Sequence, residues 1–360
     1  MESNSKINSL QALRAIAFIG IFLAHARITY SWPKLGVSIF FCMSGFLMTY
    51  IYMDRDLPRS IKDAFLFSVK KIKKLYLLHI ITMAAVVIIE LWIRKANGNP
   101  FEETGALIRN IILNIFLLQS WYPDSTVNVA LNGVAWYLSV ALFLYMLFPF
   151  ILCWIKAKGK STVVITASLF MVLQVLLSYV FVLKAGVGVR YTWFMYCFPV
   201  FRIGDFIAGC ALGKVIYNRR VKESASDIIV YTVIEIVALI IGVIFSIWLE
   251  IPSEEPYLLA IKNWSSGYII MAVLWIYLFY RCKGLLTKAL SNRLLIALGD
   301  ISPQAFLIHY VIVRLVNAYM GLHQIAFTPV ITWLLFIGEL FITIIICLIY
   351  LKLKNTDSYR

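Results

Sequence analysis

A chain of 360 residues with 62% hydrophobic and only 14% charged residues lies outside the usage of soluble globular domains, in which about a quarter of residues are charged. A mean hydropathy of +0.86 gives the same reading, a polytopic membrane protein. The formal net charge of +15 does not mark a nucleic-acid partner, because the Lys and Arg residues lie between apolar runs rather than on one basic face or arm.

Runs long enough to cross a bilayer follow one another along the chain: 10–29, 35–53, 75–93, 134–155, 161–182, 195–217, 228–249, 265–280, 295–315 and 329–351. They predict an all-α bundle of about ten transmembrane helices. A further apolar run, 108–118, is too short to span and is expected at the interface. No internal repeat, low-complexity tract or linker divides the chain, so 1–360 reads as a single transmembrane domain. Six cysteines sit in or beside apolar runs with no C-x-x-C spacing; they read as small buried hydrophobes, and no metal site is expected.

Basic residues set the orientation, since Lys and Arg are retained on the cytoplasmic side. Taken alternately from the N-terminus, the connections on one side hold 22 Lys and Arg, and those on the other hold 8. The poor side also carries the acidic "EIPSEEP" stretch at 250–256. Both termini are therefore expected in the cytoplasm, with the protein multi-pass in the cell membrane.

The first run places two ionisable groups in lipid. Arg14 and His25 are eleven residues apart, almost three helical turns, so they share a face at depths roughly 16 Å apart. Lys6, the apolar run 15–24 and the triplet "AHA" superficially resemble a secretory signal. Arg14 falls where the apolar region of such a signal would begin, and removing the segment would spoil the charge alternation. The run is kept as a span. Ionisable groups are costly there, so a functional role is the default reading.

Several strings then appear in order. "LGVSIFFCMSGFLMTY" (35–50) resembles the G-V-x-x-F-F-x-x-S-G-F-L segment of the membrane-bound acyltransferase-3 family, and the preceding "LRAIA" with His25 looks like its first helix. "KKIKKLYLLHI" (70–80), "NGVAWYLSVALFLYMLFP" (132–149), "PVFRIGDFIAGCALG" (199–213) and "LGDISPQAFLIHY" (298–310) are similar to further segments of that family, so the resemblance covers essentially the whole chain. There are departures. Ala141 stands where many members carry Glu, Lys71 and Lys74 where arginines are usual, and Leu77 where a proline is common.

The resemblance implies an integral membrane O-acyltransferase. An acyl group, most often acetyl, would pass from a cytoplasmic thioester such as acetyl-CoA, a substrate rather than a bound cofactor, to a hydroxyl of a glycan on the far side. A sugar hydroxyl is a poor nucleophile and needs a general base, which assigns His25. Arg14, nearer the cytoplasm, would hold the donor's polar arm or stabilise the thioester oxyanion. Lys71 and Lys74, three apart on one helical face, would hold the donor's phosphates as point charges.

For other residues two readings stand side by side. His309 is a second base or acceptor ligand, or a packed, hydrogen-bonded histidine. Trp136 lines a sugar-binding mouth, or belongs to an interfacial aromatic belt. Ser44 and Ser139 contact the acceptor or act as nucleophiles beside a base, or bridge helices. Arg202 and Asp205, one turn apart, pair with each other. Glu90, Glu235 and Glu339 receive no role. The alternative function is a translocator of polysaccharide or lipid-linked sugar, which needs a polar lining but no base. With no appended extracytoplasmic domain expected, the bundle handles the acceptor itself or passes the group to a partner.

Overall fold

The computed structural model describes residues 7–28, 32–57, 60–99, 101, 103–217, 227–262 and 266–357. Lys6, Thr29, Arg59, Arg219, Arg220 and Lys222, used in the sequence reading, lie outside the described residues. Within them all regular structure is helical: α1 (Asn8–His25), α2 (Trp32–Tyr52), α3 (Ile61–Ala96), α4 (Thr104–Ile115), α5 (Ser125–Asn128), α6 (Trp136–Ala157), α7 (Lys160–Ala185), α8 (Val189–Thr192), α9 (Ile203–Ile216), α10 (Asp227–Glu250), α11 (Pro256–Ile261), α12 (Ser266–Arg281), α13 (Leu285–Leu290), α14 (Arg293–Leu322) and α15 (Pro329–Asp357). Among the described residues nine helices are long and apolar enough to span a bilayer, and the run at 108–118 forms the short α4.

The predicted crossing at 195–217 is the exception. Its first part is a single π-type turn at Trp193–Cys197, and α9 begins only at Ile203. Pro199 accounts for the break, because a residue before proline is pushed out of the helical region, and Phe198 is extended at φ −67°, ψ 121°. With 14 residues α9 is about 21 Å long, short of the roughly 30 Å hydrocarbon core. It compensates by burying nearly every side, chiefly against α2 and α7. Gly209 and Gly213 make that approach possible: a Cβ on Gly209 would lie 1.8 Å from the Cys42 carbonyl, and one on Gly213 2.9 Å from that of Phe46. This register, 42 beside 209 and 46 beside 213, runs α2 and α9 in the same direction.

Lysine ammonium groups tie one end of the bundle together. Lys156 donates to the Arg55 carbonyl (2.6 Å), Lys160 to that of Val215 (3.0 Å) and Lys354 to that of Lys74 (3.0 Å). We call this the basic end. At the rim, α7, α10 and α15 present exposed Leu, Ile and Val along much of their length, as lipid contact requires.

The helix α14 carries an interior proline, and its neighbours repair the damage. Pro303 has no N–H to give the carbonyl of Gly299, four residues back; the Ser302 hydroxyl donates to it instead at 2.8 Å. Gly299 also admits α1, since a Cβ there would lie 1.9 Å from the Gln11 carbonyl. The two helices that carry Arg14, His25 and His309 are thereby packed in close contact.

Candidate active site

His25 lies in the last turn of α1, which closes on Arg27 in the left-handed region (φ 69°) with the Ile28 N–H donating to the Leu23 carbonyl. Its ring stands beside His309 of α14, with Nδ1 3.0 Å from His309 Nε2. His309 is fully buried, and its Nδ1 lies 3.1 Å from the Ala305 carbonyl. A carbonyl only accepts, so His309 Nδ1 bears the proton. In a neutral imidazole Nε2 is then a bare acceptor, and His25 Nδ1 must donate to it. This leaves a lone pair on His25 Nε2. The chain of bonds thus has one direction, from His25 through His309 to the backbone, and it fixes the tautomer of a partly exposed ring. Phe22 packs on the His309 ring (centroids 4.9 Å apart) and Tyr310 stands edge-on to His25 (5.3 Å), holding both planes.

Arg14 occupies a different compartment. It lines a cavity of about 280 Å³ with Ser44, Lys71, Tyr137, Tyr145 and Phe306. Its closest side-chain hydrogen bond is a long one, 3.4 Å to Gln11 Oε1, and among the described residues no carboxylate lies within salt-bridge distance. Ser44 receives the Tyr145 hydroxyl at 3.4 Å and lies 3.5 Å from that of Tyr137. Lys71 donates to the Tyr52 hydroxyl at 2.7 Å with its ammonium over the ring, 4.6 Å from the centroid. Phe306 connects the two compartments, lining the cavity and lying 5.9 Å from the His309 ring.

Of the residues singled out in the sequence, Arg14, Lys71 and Ser44 meet in this cavity, and His25 meets His309 beyond it. Lys74 is exposed, away from the cavity lining. Trp136 is buried against Tyr196 (4.6 Å) rather than displayed at a mouth, and Ser139 donates to the Leu117 carbonyl at 2.5 Å. Arg202 and Asp205 pair at 2.8 Å, both fully buried. The three unassigned glutamates have partners. Glu235 accepts from the N–H groups of Gly284, Leu286 and Thr287 and from the Thr287 hydroxyl at the start of α13. Glu90 bridges Arg94 and Arg314, and Glu339 pairs with Arg27 at 2.9 Å. Tyr137 and Tyr145 are cavity residues that sequence reasoning missed. Their spacing of eight on an apolar helix, just over two turns, is the available signal.

No solved structure matches the chain. Acyltransferase MdmB of Streptomyces mycarofaciens is 23% identical over 346 residues, a match covering 88% of this chain and 81% of MdmB. O-acetyltransferase OatA of Staphylococcus aureus strain NCTC 8325 is 24% identical over 336 residues, covering 90% of this chain but 53% of OatA, so the chain spans about half the length of that relative. A family model described as an acyltransferase domain matches residues 7–352, nearly the whole chain, and with the multi-pass bundle around it the protein belongs to the acyltransferase-3 family of enzymes that transfer acyl groups.

Proposed function

We propose that the protein is an O-acyltransferase of the cell membrane that takes an acetyl group from acetyl-CoA at the cytoplasmic, basic end and delivers it to a hydroxyl of a glycan at the opposite end. The directed hydrogen-bond chain of His25 and His309 carries this reading, because it presents an unprotonated imidazole nitrogen at the end of α1. The acceptor hydroxyl gives its proton to His25 Nε2 as its oxygen attacks the thioester carbonyl. The tetrahedral intermediate then collapses, the carbon–sulfur bond breaks, and the departing thiolate takes the proton from the imidazolium.

Arg14 and Lys71 supply the donor's path. Lys71 meets phosphate charge at the basic end, and Arg14 binds the polar amide-bearing arm inside the cavity. The oxyanion role is the less suited to Arg14. It lies about 16 Å from His25 along the axis, and helical side chains lean towards the N-terminus, further from the base. The 22 to 8 split of basic residues supports placing the basic end and both termini in the cytoplasm.

Membranes supplied with labelled acetyl-CoA and the host's surface glycan test the proposal. Wild type should label the glycan. His25→Ala should insert normally and lose transfer by about 10²–10⁴-fold. His309→Ala, which releases the ring and its tautomer, should lose about 10²-fold while donor KM is unchanged. Near-normal transfer by His25→Ala would remove the base from this assignment.

A further inference from the structure

We infer that the cleft between the last turn of α3 and the end of α14 is a carbohydrate-binding site that presents the acceptor chain to His25. The inference rests on the acyl-transfer reading for the acceptor's role, though not for binding itself. The cleft encloses about 700 Å³, within the size of small-ligand sites, and includes Trp92, Asn97, Arg314, Asn317, Gly321 and Gln324 in its lining. It lies at the end of the bundle away from Lys71 and the acyl-donor cavity.

Its chemistry is selective. One face of a pyranose ring is a row of C–H bonds, and its rim alternates hydroxyl donors and acceptors. An exposed indole, that of Trp92, matches the face. The carboxamides of Asn97 and Gln324 match the rim, each setting a donor beside an acceptor, and Asn317 adds its amide N–H beside an oxygen that Arg27 engages. Arg314 borders the cleft with its guanidinium held by Glu90 at 3.1 Å.

The route to the base is short. Asn317 lies eight residues beyond His309 on α14, about 12 Å along the axis, a distance that a short oligosaccharide covers. Arg27, two residues beyond His25, donates to Asn317 and to Glu339, binding the end of α1 to the cleft wall. A short oligosaccharide seated on Trp92 can therefore extend towards His25 while the rest of the chain remains outside the bundle.

Gly321 offers a clean way to close the site, because a Cβ built there meets nothing within 4 Å. Equilibrium binding of chitotetraose and of maltotetraose to the full chain in lipid nanodiscs tests the inference. Wild type should bind at least one of the two. Gly321→Trp, which fills the cleft, and Trp92→Ala, which removes the platform, should each weaken binding tenfold or more. Tyr257→Ala, at an exposed aromatic of α11, should not. Absence of binding to both sugars, or binding unaltered by Gly321→Trp and Trp92→Ala, overturns the inference. Sugar binding without any labelled transfer would sink the acyl-transfer reading and leave the cleft standing.

Discussion

Two arginines inside this bundle show how differently a membrane protein handles the same side chain. Arg202, at the N-cap of α9, is fully buried and ion-paired: Asp205 holds it at 2.8 Å, the Ser38 hydroxyl lies at 3.3 Å, and the ring of Phe41 covers the guanidinium at 4.9 Å. Arg14, on α1, is half-buried, faces a cavity and, among the described residues, has only a long side-chain bond to Gln11. Burying a charge is costly unless it is paired, so Arg202 depends on its counter-ion, and even so its Nε and Nη1 and the Asp205 Oδ2 stay buried without hydrogen bonds among the described residues. Intramembrane charge alone therefore does not mark a site; what sets Arg14 apart is the cavity beside it and the absence of a carboxylate within salt-bridge distance among the described residues.

The comparison can be broken most forcefully at Arg202. Arg202→Ala strands Asp205 in the apolar core and should cost about 3–5 kcal/mol, seen as loss of folded yield and of the thermal transition in detergent. Arg202→Leu with Asp205→Leu should recover the fold, and failure of that pair to recover would show that α9 needs the ions themselves. Arg14→Ala should do the reverse, leaving the transition in place and removing donor use. Smaller effects come from the lysines. Lys71→Gln should raise the donor KM about five- to tenfold, an effect that high salt partly reproduces in wild type, whereas Lys74→Gln should leave it unchanged. Equal KM changes from the two would return the donor entrance to a diffuse basic surface.

Spacing within a helix is legible in the amino-acid sequence; partnership between helices is not. Arg14 and His25 fall on one face because eleven residues nearly close three turns. The bond from His25 to His309 spans 284 residues of sequence, and nothing local announces it. Lys71 and Lys74 are indistinguishable by periodicity, and what separates them is Tyr52 on another helix. The sequence leaves Trp136 between a sugar-binding mouth and an aromatic belt, and Ser139 between an acceptor contact and a helix bridge; their partners, Tyr196 and the Leu117 carbonyl, come from other elements. The break at Pro199 is legible, since proline ends helices whatever surrounds it, yet a hydropathy window averages over it.

The shortness of α9 bears on how the protein is made. A segment about 21 Å long cannot match the hydrocarbon core by its own hydrophobic length, so its residence in the membrane depends on neighbours that have already been threaded. The backbone contacts of Gly209 and Gly213 with Cys42 and Phe46 place α2 in the role of receiver, a helix synthesised some 170 residues earlier. The packing leads to an expected outcome during synthesis: a protease-protection assay on arrested chains ending beyond Ile216 should find α9 guarded when position 209 is glycine and accessible when it is leucine. Equal protection of both chains would mean that α9 enters the bilayer unaided.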